Sequence, residues 1–309
     1  MAGITWPDGK QFAFSVFDDT DRATLDNVPP VYALLADLGL RTTKSVWPIQ
    51  GSGVPAIGGA TCEDPGYLRW VLDLAEQGFE IGLHNATYHT SSREETLRGL
   101  DVFRELFGAD PRSLANHAGV REGIYWGANR VSGWRALAYH AMTRFRRVKW
   151  SRGHVEGDPL FWGDLCRDRV KYVRNFVFRE VDTLEACPQM PYRDPARPYV
   201  NYWFASSEGA NVDSFNRTLC EEHQDRLQRR GGACVMYTHF ANGFYEDGRL
   251  NRRFRELMER LAAKNGWFVP VSRLLDHILQ TRGPHELTPR ERARLERKWL
   301  LHKLLVGTT

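Results

Sequence analysis

The chain has 309 residues, 42% of them hydrophobic and 12% aromatic, with a formal net charge of +4 at neutral pH. That length is ample to bury the core of one large α/β domain or two small ones. The charge is too small to argue for nucleic acid, though it leaves room for an anionic substrate or a lipid surface, and no apolar run reaches the ~20 residues that span a bilayer.

The cysteines Cys62, Cys166, Cys187, Cys220 and Cys234 are widely spaced and form no C-x-x-C pair. Such a set reads as reduced thiols in a reducing compartment rather than a disulfide frame or a zinc knuckle. The opening residues, MAGITWPDGKQ, lack a basic region followed by an apolar run, so a cytosolic (cytoplasmic) protein is the expectation.

In chain order, residues 12–17 alternate, with Phe12, Phe14 and Val16 on one side and Ala13, Ser15 and Phe17 on the other. This is the pattern of a short buried strand. It runs straight into Asp18 and Asp19, with Asp21 just beyond, and adjacent carboxylates repel unless a cation or a shared proton relieves them. Val31, Leu34, Leu35 and Leu38 recur at helical spacing, and Gly39 stands at the C-cap position. Residues 42–47 read as a strand, Tyr67, Val71, Leu74 and Ala75 as a helix closed by Gly78, and residues 79–83 as a strand ending on His84. Ser92 and Glu95 predict a capping box for a helix carrying Leu97, Leu100, Phe103 and Phe107, with Gly108 as its stop.

Residues 113–116 read as a further strand, followed by the Gly-rich turn HAGVREGIYWG. Residues 130–165, rich in Trp and Arg, read as an insertion with a helix near 132–145. A long strand is expected over 170–178, where Val170, Tyr172, Arg174, Phe176 and Phe178 share one side. The four prolines of 188–198 predict irregular chain, and 199–204 resumes as a strand. Phe215, Leu219, His223 and Leu227 predict one helix ended by Gly231 and Gly232, and residues 233–237 a strand that stops at Thr238 and His239. Leu250, Phe254, Leu257, Met258 and Leu261 give a helix ended by Gly266. Residues 267–271 read as the last strand, with Ser272 capping a short helix through Leu279.

Strands alternating with helices imply a parallel sheet with crossover helices, and seven or eight such units point to a closed or nearly closed barrel. The tail TPRERARLERKWLLHKLLVG is basic early and apolar late, around Trp299, Leu300, Leu301, Leu304 and Leu305. It reads as a helix packed on the barrel or on a partner subunit, with peripheral contact to a membrane surface as the alternative. The expected organisation is therefore a barrel over residues 1–280, with an insertion at about 125–200, and a charged helical tail over 281–309.

In parallel α/β architectures functional groups collect where strands end. Four predicted strand ends carry such groups: Asp18 and Asp19, His84 with His89, Asn116 and His117, and His239. One carboxylate and two imidazoles hold a divalent metal at three positions and leave the rest for water and substrate, as in a catalytic site.

The segments FSVFDDTD, EIGLHNATYH, the Gly-rich turn after SLANH, MYTHF and GWFVPVSRLL, in this order, resemble the polysaccharide deacetylases, carbohydrate esterase family 4. The resemblance spans about residues 11–279, with a poorly matched middle. It implies an α/β fold, a distorted (β/α) barrel of about seven strands with an inserted middle segment and a C-terminal helix, and a metal-dependent N-deacetylase activity. By position it implies Asp18 as catalytic base, Asp19, His84 and His89 as metal ligands, His239 as catalytic acid and Asp213 as the carboxylate orienting that acid. His117 or Arg121 falls where the family has an arginine contacting the base, and Asn116 and Trp126 fall on the substrate or oxyanion side. Zinc is the expected metal, with cobalt, manganese or nickel as the other candidates.

The resulting expectation is a hydrolase that removes an N-acetyl or other N-acyl group from an amino sugar, nucleotide- or lipid-linked, such as an O-antigen or capsule precursor of lipopolysaccharide biosynthesis, with no nucleic acid as partner. A second reading is a catalytically inactive glycan-binding relative, suggested by the four residues between His84 and His89 where the family has three. A third, a non-haem iron oxygenase, gives His239 and the paired aspartates no role. Arg144, Arg146, Arg147, Lys149 and Arg152 read as a solvated face or as a clamp for phosphate, and Tyr125, Trp126, Trp162 and Trp203 as packing residues or sugar-stacking platforms.

Overall fold

The computed structural model describes residues 4–143 and 151–306. Its strands are, in chain order, β1 Phe12–Asp18, β2 Thr43–Val46, β3 Glu80–Leu83, β4 Ser113–Leu114, β5 Tyr172–Phe178, β6 Tyr192–Arg193, β7 Tyr202–Ser207, β8 Ala233–Thr238, β9 Tyr245–Glu246, β10 Arg249–Leu250, β11 Gly266–Phe268 and β12 His285–Glu286. Seven of them close a ring in the order β1, β2, β3, β4, β5, β7, β8 and back to β1, with every pairing parallel. Parallel neighbours require crossovers, which helices supply here. Because those helices cover the outer face, β1, β2, β5 and β8 are buried at every position.

The fold is the distorted (β/α) barrel. Its distortion is visible at β11, which pairs with the first half of β1 rather than entering the ring, and at a register shift between Arg174 and Val177 where β5 meets β7. β6 adds antiparallel to β7 and carries β12 on its far side. The register sets the site: Asp18 lies level with both Lys44 and Thr238, Val46 with Leu83, and Leu83 with Leu114. The residues that follow these strand ends, Asp19, Trp47, His84, Asn116, His117 and His239, therefore emerge at one mouth of the barrel.

Local chemistry explains most of the helices. Asp64 caps the helix Pro65–Glu76 through Gly66 and Tyr67, and the Ser92–Glu95 capping box closes in both directions on Arg93–Phe107, which ends at Gly108 with φ 72°. Two expectations are corrected. The stripe from Phe215 to Leu227 is two helices, Val212–Thr218 and Glu221–Arg230, because Cys220 is extended (ψ 165°) and the freed carbonyls of Thr218 and Leu219 are taken by His223 Nδ1 and Gln224 Nε2. Ser272 does not cap: the helix Val271–Arg282 begins after Pro270, and the Ser272 N–H donates to Glu80 Oε2 at 3.0 Å.

The C-terminal helix Pro289–Val306 packs against the helix Trp134–Met142 and β5. Trp299 is fully buried and stacks on Tyr139 at 5.7 Å, and the buried Glu296 carboxylate meets Arg135 and Arg197. Leu301, Leu304 and Leu305 stay exposed on its other face. Among the described residues, no helix is long and apolar enough to cross a membrane. Of the basic cluster noted in the sequence, Arg144, Arg146, Arg147 and Lys149 lie outside the described residues, and Arg152 is paired with Asp158 at 2.7 Å.

Candidate active site

Asp21, two residues past the acidic pair, is the centre of the site. Its Oδ1 stands 2.8 Å from His117 Nδ1 and 3.4 Å from His84 Nε2, and those two nitrogens are 3.2 Å apart. Ligand atoms bonded at ~2.0–2.1 Å in a tetrahedron stand ~3.3 Å from one another. The trio Asp21, His84 and His117 is thus spaced as one face of a divalent metal site, and it is buried throughout. Asp21 Oδ1 makes no hydrogen bond although it is fully enclosed, which is how a carboxylate oxygen stands when it faces a cation position. Burial alone would raise the pKa of Asp21, but the imidazoles of His84, His117 and His239 overcome it and hold the carboxyl far below the usual range. Burial lowers the pKa of His84, which favours the neutral ring that a metal requires.

Of the expected ligand set of Asp19, His84 and His89, the structure brings only His84 into this grouping. His89 turns away: its Nε2 accepts from the Gly53 N–H at 3.0 Å and its Nδ1 donates to the Thr90 carbonyl at 2.9 Å. Asn85, at φ 61°, bends the chain directly after His84, so that the ring of His89 lies under Gly51 and Gly53, where a Cβ would stand 2.2 and 2.6 Å from it. Asp19 is gripped by Arg174 from β5, Nη1 to Oδ1 at 2.7 Å and Nη2 to Oδ2 at 2.5 Å. Arg174 itself is buried between the rings of Phe17 and Tyr237.

Asp18 does not reach the mouth. Its Oδ2 accepts from Tyr32 at 2.9 Å and faces Lys44 Nζ at 3.2 Å, and its Oδ1 accepts from the Phe240 N–H at 2.8 Å. Burial pushes the Lys44 ammonium toward neutrality, but the Asp18 carboxylate overrides this and keeps its pKa above the ordinary value. The pair anchors β1 and β2 to the turn that follows His239.

His239 lies on the mouth with both nitrogens facing oxygen: Nδ1 at 2.9 Å from the Ala210 carbonyl, Nε2 at 3.0 Å from Asp21 Oδ2. Burial, the largest single influence, lowers its pKa, but the Asp21 hydrogen bond, the Asp19 and Asp21 charges and the Ala210 carbonyl together outweigh it and leave it at about 8, which favours the doubly protonated ring at neutral pH. The backbone of Ala210 meets it where Asp213 was expected; Asp213 is exposed in the first turn of Val212–Thr218.

A cleft of about 190 Å³ opens beside these groups, lined by Asp19, Asp21, Arg22, Asn116, Trp126 and His239 among others. Asn116 is a structural clasp as well as a lining residue, since its side chain closes both ways on the backbone of Ile124 and so ties the Gly-rich turn. Arg121 is exposed and its backbone N–H donates to Thr90 Oγ1, outside the cleft. Trp47, at the end of β2, packs 5.9 Å from His84 and 5.2 Å edge-on to His117. Behind them, Asn85 accepts from the His117 N–H at 2.8 Å and donates to the buried Glu122 at 3.0 Å.

The sequence carried signals for the residues that its reading did not assign. Asp21 stands two positions from Asp19, close enough for both to reach one mouth, and Arg174 is a lone charge on an apolar strand face, which must be paired when buried.

No family model matches the sequence, and no curated protein matches it. Solved structures share the fold. A protein of Mycobacterium smegmatis assigned as a polysaccharide deacetylase is 15% identical, with TM-score 0.50 over 93% of this chain and 97% of that one. A second, assigned likewise in Pseudomonas aeruginosa PAO1, is 12% identical with TM-score 0.52 over 91% and 95%. The allantoinase PuuE is 13% identical with TM-score 0.51 over 91% and 95%. At these identities the likeness is one of fold: the chain has the barrel seen in polysaccharide deacetylases.

Proposed function

We propose that the chain is a divalent-metal-dependent hydrolase that removes an N-acetyl or related N-acyl group from an amino sugar. The observation that carries this reading is the unsatisfied, buried Asp21 oxygen faced by two imidazole nitrogens at 2.8 and 3.4 Å, at the mouth of a deacetylase-type barrel. Asp21, His84 and His117 would hold the metal, and zinc is one that a carboxylate and two imidazoles bind, with a position left for water. When bound, such a cation polarises the acyl carbonyl and makes water a better nucleophile at neutral pH.

The remaining steps belong to the chain's own residues. Asp19 faces the cleft with its two oxygens fixed by Arg174, and a carboxylate has about four acceptor positions, so it retains positions to take the proton of the attacking water. We therefore move the base from Asp18 to Asp19. His239, held at Nδ1 by the Ala210 carbonyl, would pass the Nε2 proton that it now gives to Asp21 on to the departing nitrogen. Each such proton transfer is typically worth about 10²–10⁴ in rate. Trp126 offers a wall on which a sugar ring stacks. The cleft is smaller than the ~300–1,000 Å³ of drug-sized pockets, which suits one ring of a glycan precursor, nucleotide- or lipid-linked, in the cytoplasm. The exposed leucines of the C-terminal helix would serve peripheral contact if the precursor is lipid-linked.

The test is release of acetate from a panel of N-acetylated monosaccharides, nucleotide sugars and oligosaccharides, with zinc, cobalt, manganese or nickel added. Metal-dependent release that Asp19→Asn and His239→Gln each reduce at least about 10²-fold supports the assignment. Tight glycan binding with no release under any metal would make the chain a binding module instead.

A further inference from the structure

Arg22 immediately follows Asp21 and lines the same cleft, as do Ile57, Trp126 and Asn242. Its backbone is held at φ 62°, a left-handed conformation in which the Cβ of a residue with a side chain crowds the neighbouring carbonyl oxygen. Glycine or asparagine would adopt that turn at less cost. The backbone is fixed on both sides: the Arg22 N–H donates to the Gly58 carbonyl at 2.8 Å, and its carbonyl accepts from Asn27 Nδ2 at 2.9 Å. The side chain is exposed at the mouth and has no hydrogen bond, ion pair or ring contact among the described residues.

The cleft's other charges are answered within the protein. Asp19 is neutralised by Arg174, and Asp21 is surrounded by His84, His117 and His239. Among the described residues that line the cleft, Arg22 is the charge left over, on a turn that is strained and tied on both sides. Strained residues held by their surroundings cluster at ligand clamps, and a guanidinium is a planar fork that fits carboxylate or phosphate oxygens in pairs.

We propose that Arg22 binds an anionic substituent on the sugar that the cleft accepts, a carboxylate or a phosphate, so that the substrate class is an acidic amino sugar. This deepens the deacetylase reading and rests on it. Since the cleft takes about one ring, the anion sits on the reacting sugar itself: a uronate carboxylate, a ring phosphate, or the phosphate that links the anomeric carbon to a nucleotide or lipid.

The experiment is calorimetric titration of the zinc-loaded protein with N-acetylglucosamine, its 1-phosphate, its 6-phosphate and the corresponding uronic acid. The wild type, Arg22→Gln and Arg22→Lys are compared, and acetate release is measured alongside. At least one anionic sugar is expected to bind the wild type about tenfold or more tightly than the neutral parent. Arg22→Gln should erase that preference with neutral-sugar binding unchanged, Arg22→Lys should retain part of it, and which probe is preferred distinguishes carboxylate from phosphate. Equal affinity for all four sugars, or a preference that survives in Arg22→Gln, overturns the proposal. Acetate released from the neutral and the anionic sugars alike, at rates that Arg22→Gln does not alter, would leave the deacetylase reading standing without the anion site. An Arg22-dependent anion preference with no acetate from any sugar would sink the deacetylase reading and keep the anion site.

Discussion

Lys44 and Asp18 are both fully buried and meet at 3.2 Å, and neither faces the cleft. Removing one partner of a buried ion pair strands the other charge and costs ~3–5 kcal/mol, whereas replacing both with apolar groups of similar volume is often close to neutral. Asp18→Asn is therefore expected to lower the free energy of unfolding by roughly that amount, with most of it regained in the double variant Asp18→Leu/Lys44→Met. Denaturant melts of the three proteins decide it; a fully stable Asp18→Asn would mean that the pair is not what anchors the turn after His239. At this scale the sequence was only partly legible. The residue types were visible, including the acidic cluster and the strand-end histidines, but not their directions. Adjacent residues on a strand point to opposite faces, which leaves Asp18 inward toward Lys44 and gives the mouth to Asp19 and Asp21. His117 joins His84 only because the chain bends at Asn85 and because Asn116 clasps Ile124, and neither constraint is written in residue spacing.

Elements were read more reliably than residues because their signals are local. The capping box at Ser92 and Glu95, the left-handed Gly108 and the apolar strand β1 all follow from chemistry within a few positions. Ser92→Ala should cost about 1 kcal/mol through loss of the cap, read as a lower denaturation midpoint with an unchanged slope. Glu95 also reaches Ser52, between Gly51 and Gly53, so a drop well beyond that amount would show the cap to be holding the segment that covers His89. What failed at this scale was tertiary override. The break at Cys220 has no proline or glycine to announce it, and is stabilised instead by side chains of the following helix taking the freed carbonyls. The short β4, two residues long, shows the limit from the other side: its existence depends on β3 and β5 flanking it rather than on its own propensity.

Across the whole molecule, the barrel gathers groups from five strand ends into one enclosed volume, and enclosure has a pH signature. Glu122, buried behind the site and hydrogen-bonded to Asn85, has its pKa raised by burial to about 8. The unfolded chain loses that proton near the ordinary glutamate value of 4.5 while the folded chain retains it. Stability from this group is thus fully present below pH 4.5 and is lost as pH rises toward about 8. Glu122→Gln should flatten that decline, by an amount on the order of a few kcal/mol between the two ends; an identical pH profile in both proteins would place the Glu122 proton elsewhere. Closure of seven parallel strands was inferable from alternation alone, whereas the excursion of β11 and the register shift in β5 were not, since both arise from fitting the ring shut. The claim on which the functional account stands is that Asp21, His84 and His117 form one cation site. Elemental analysis of zinc-equilibrated, folded protein after gel filtration tests it most directly. Close to one zinc per chain is predicted for the wild type and for His89→Ala, and a large loss in Asp21→Asn and His117→Ala. Zinc retained by His117→Ala but lost from His89→Ala would contradict it.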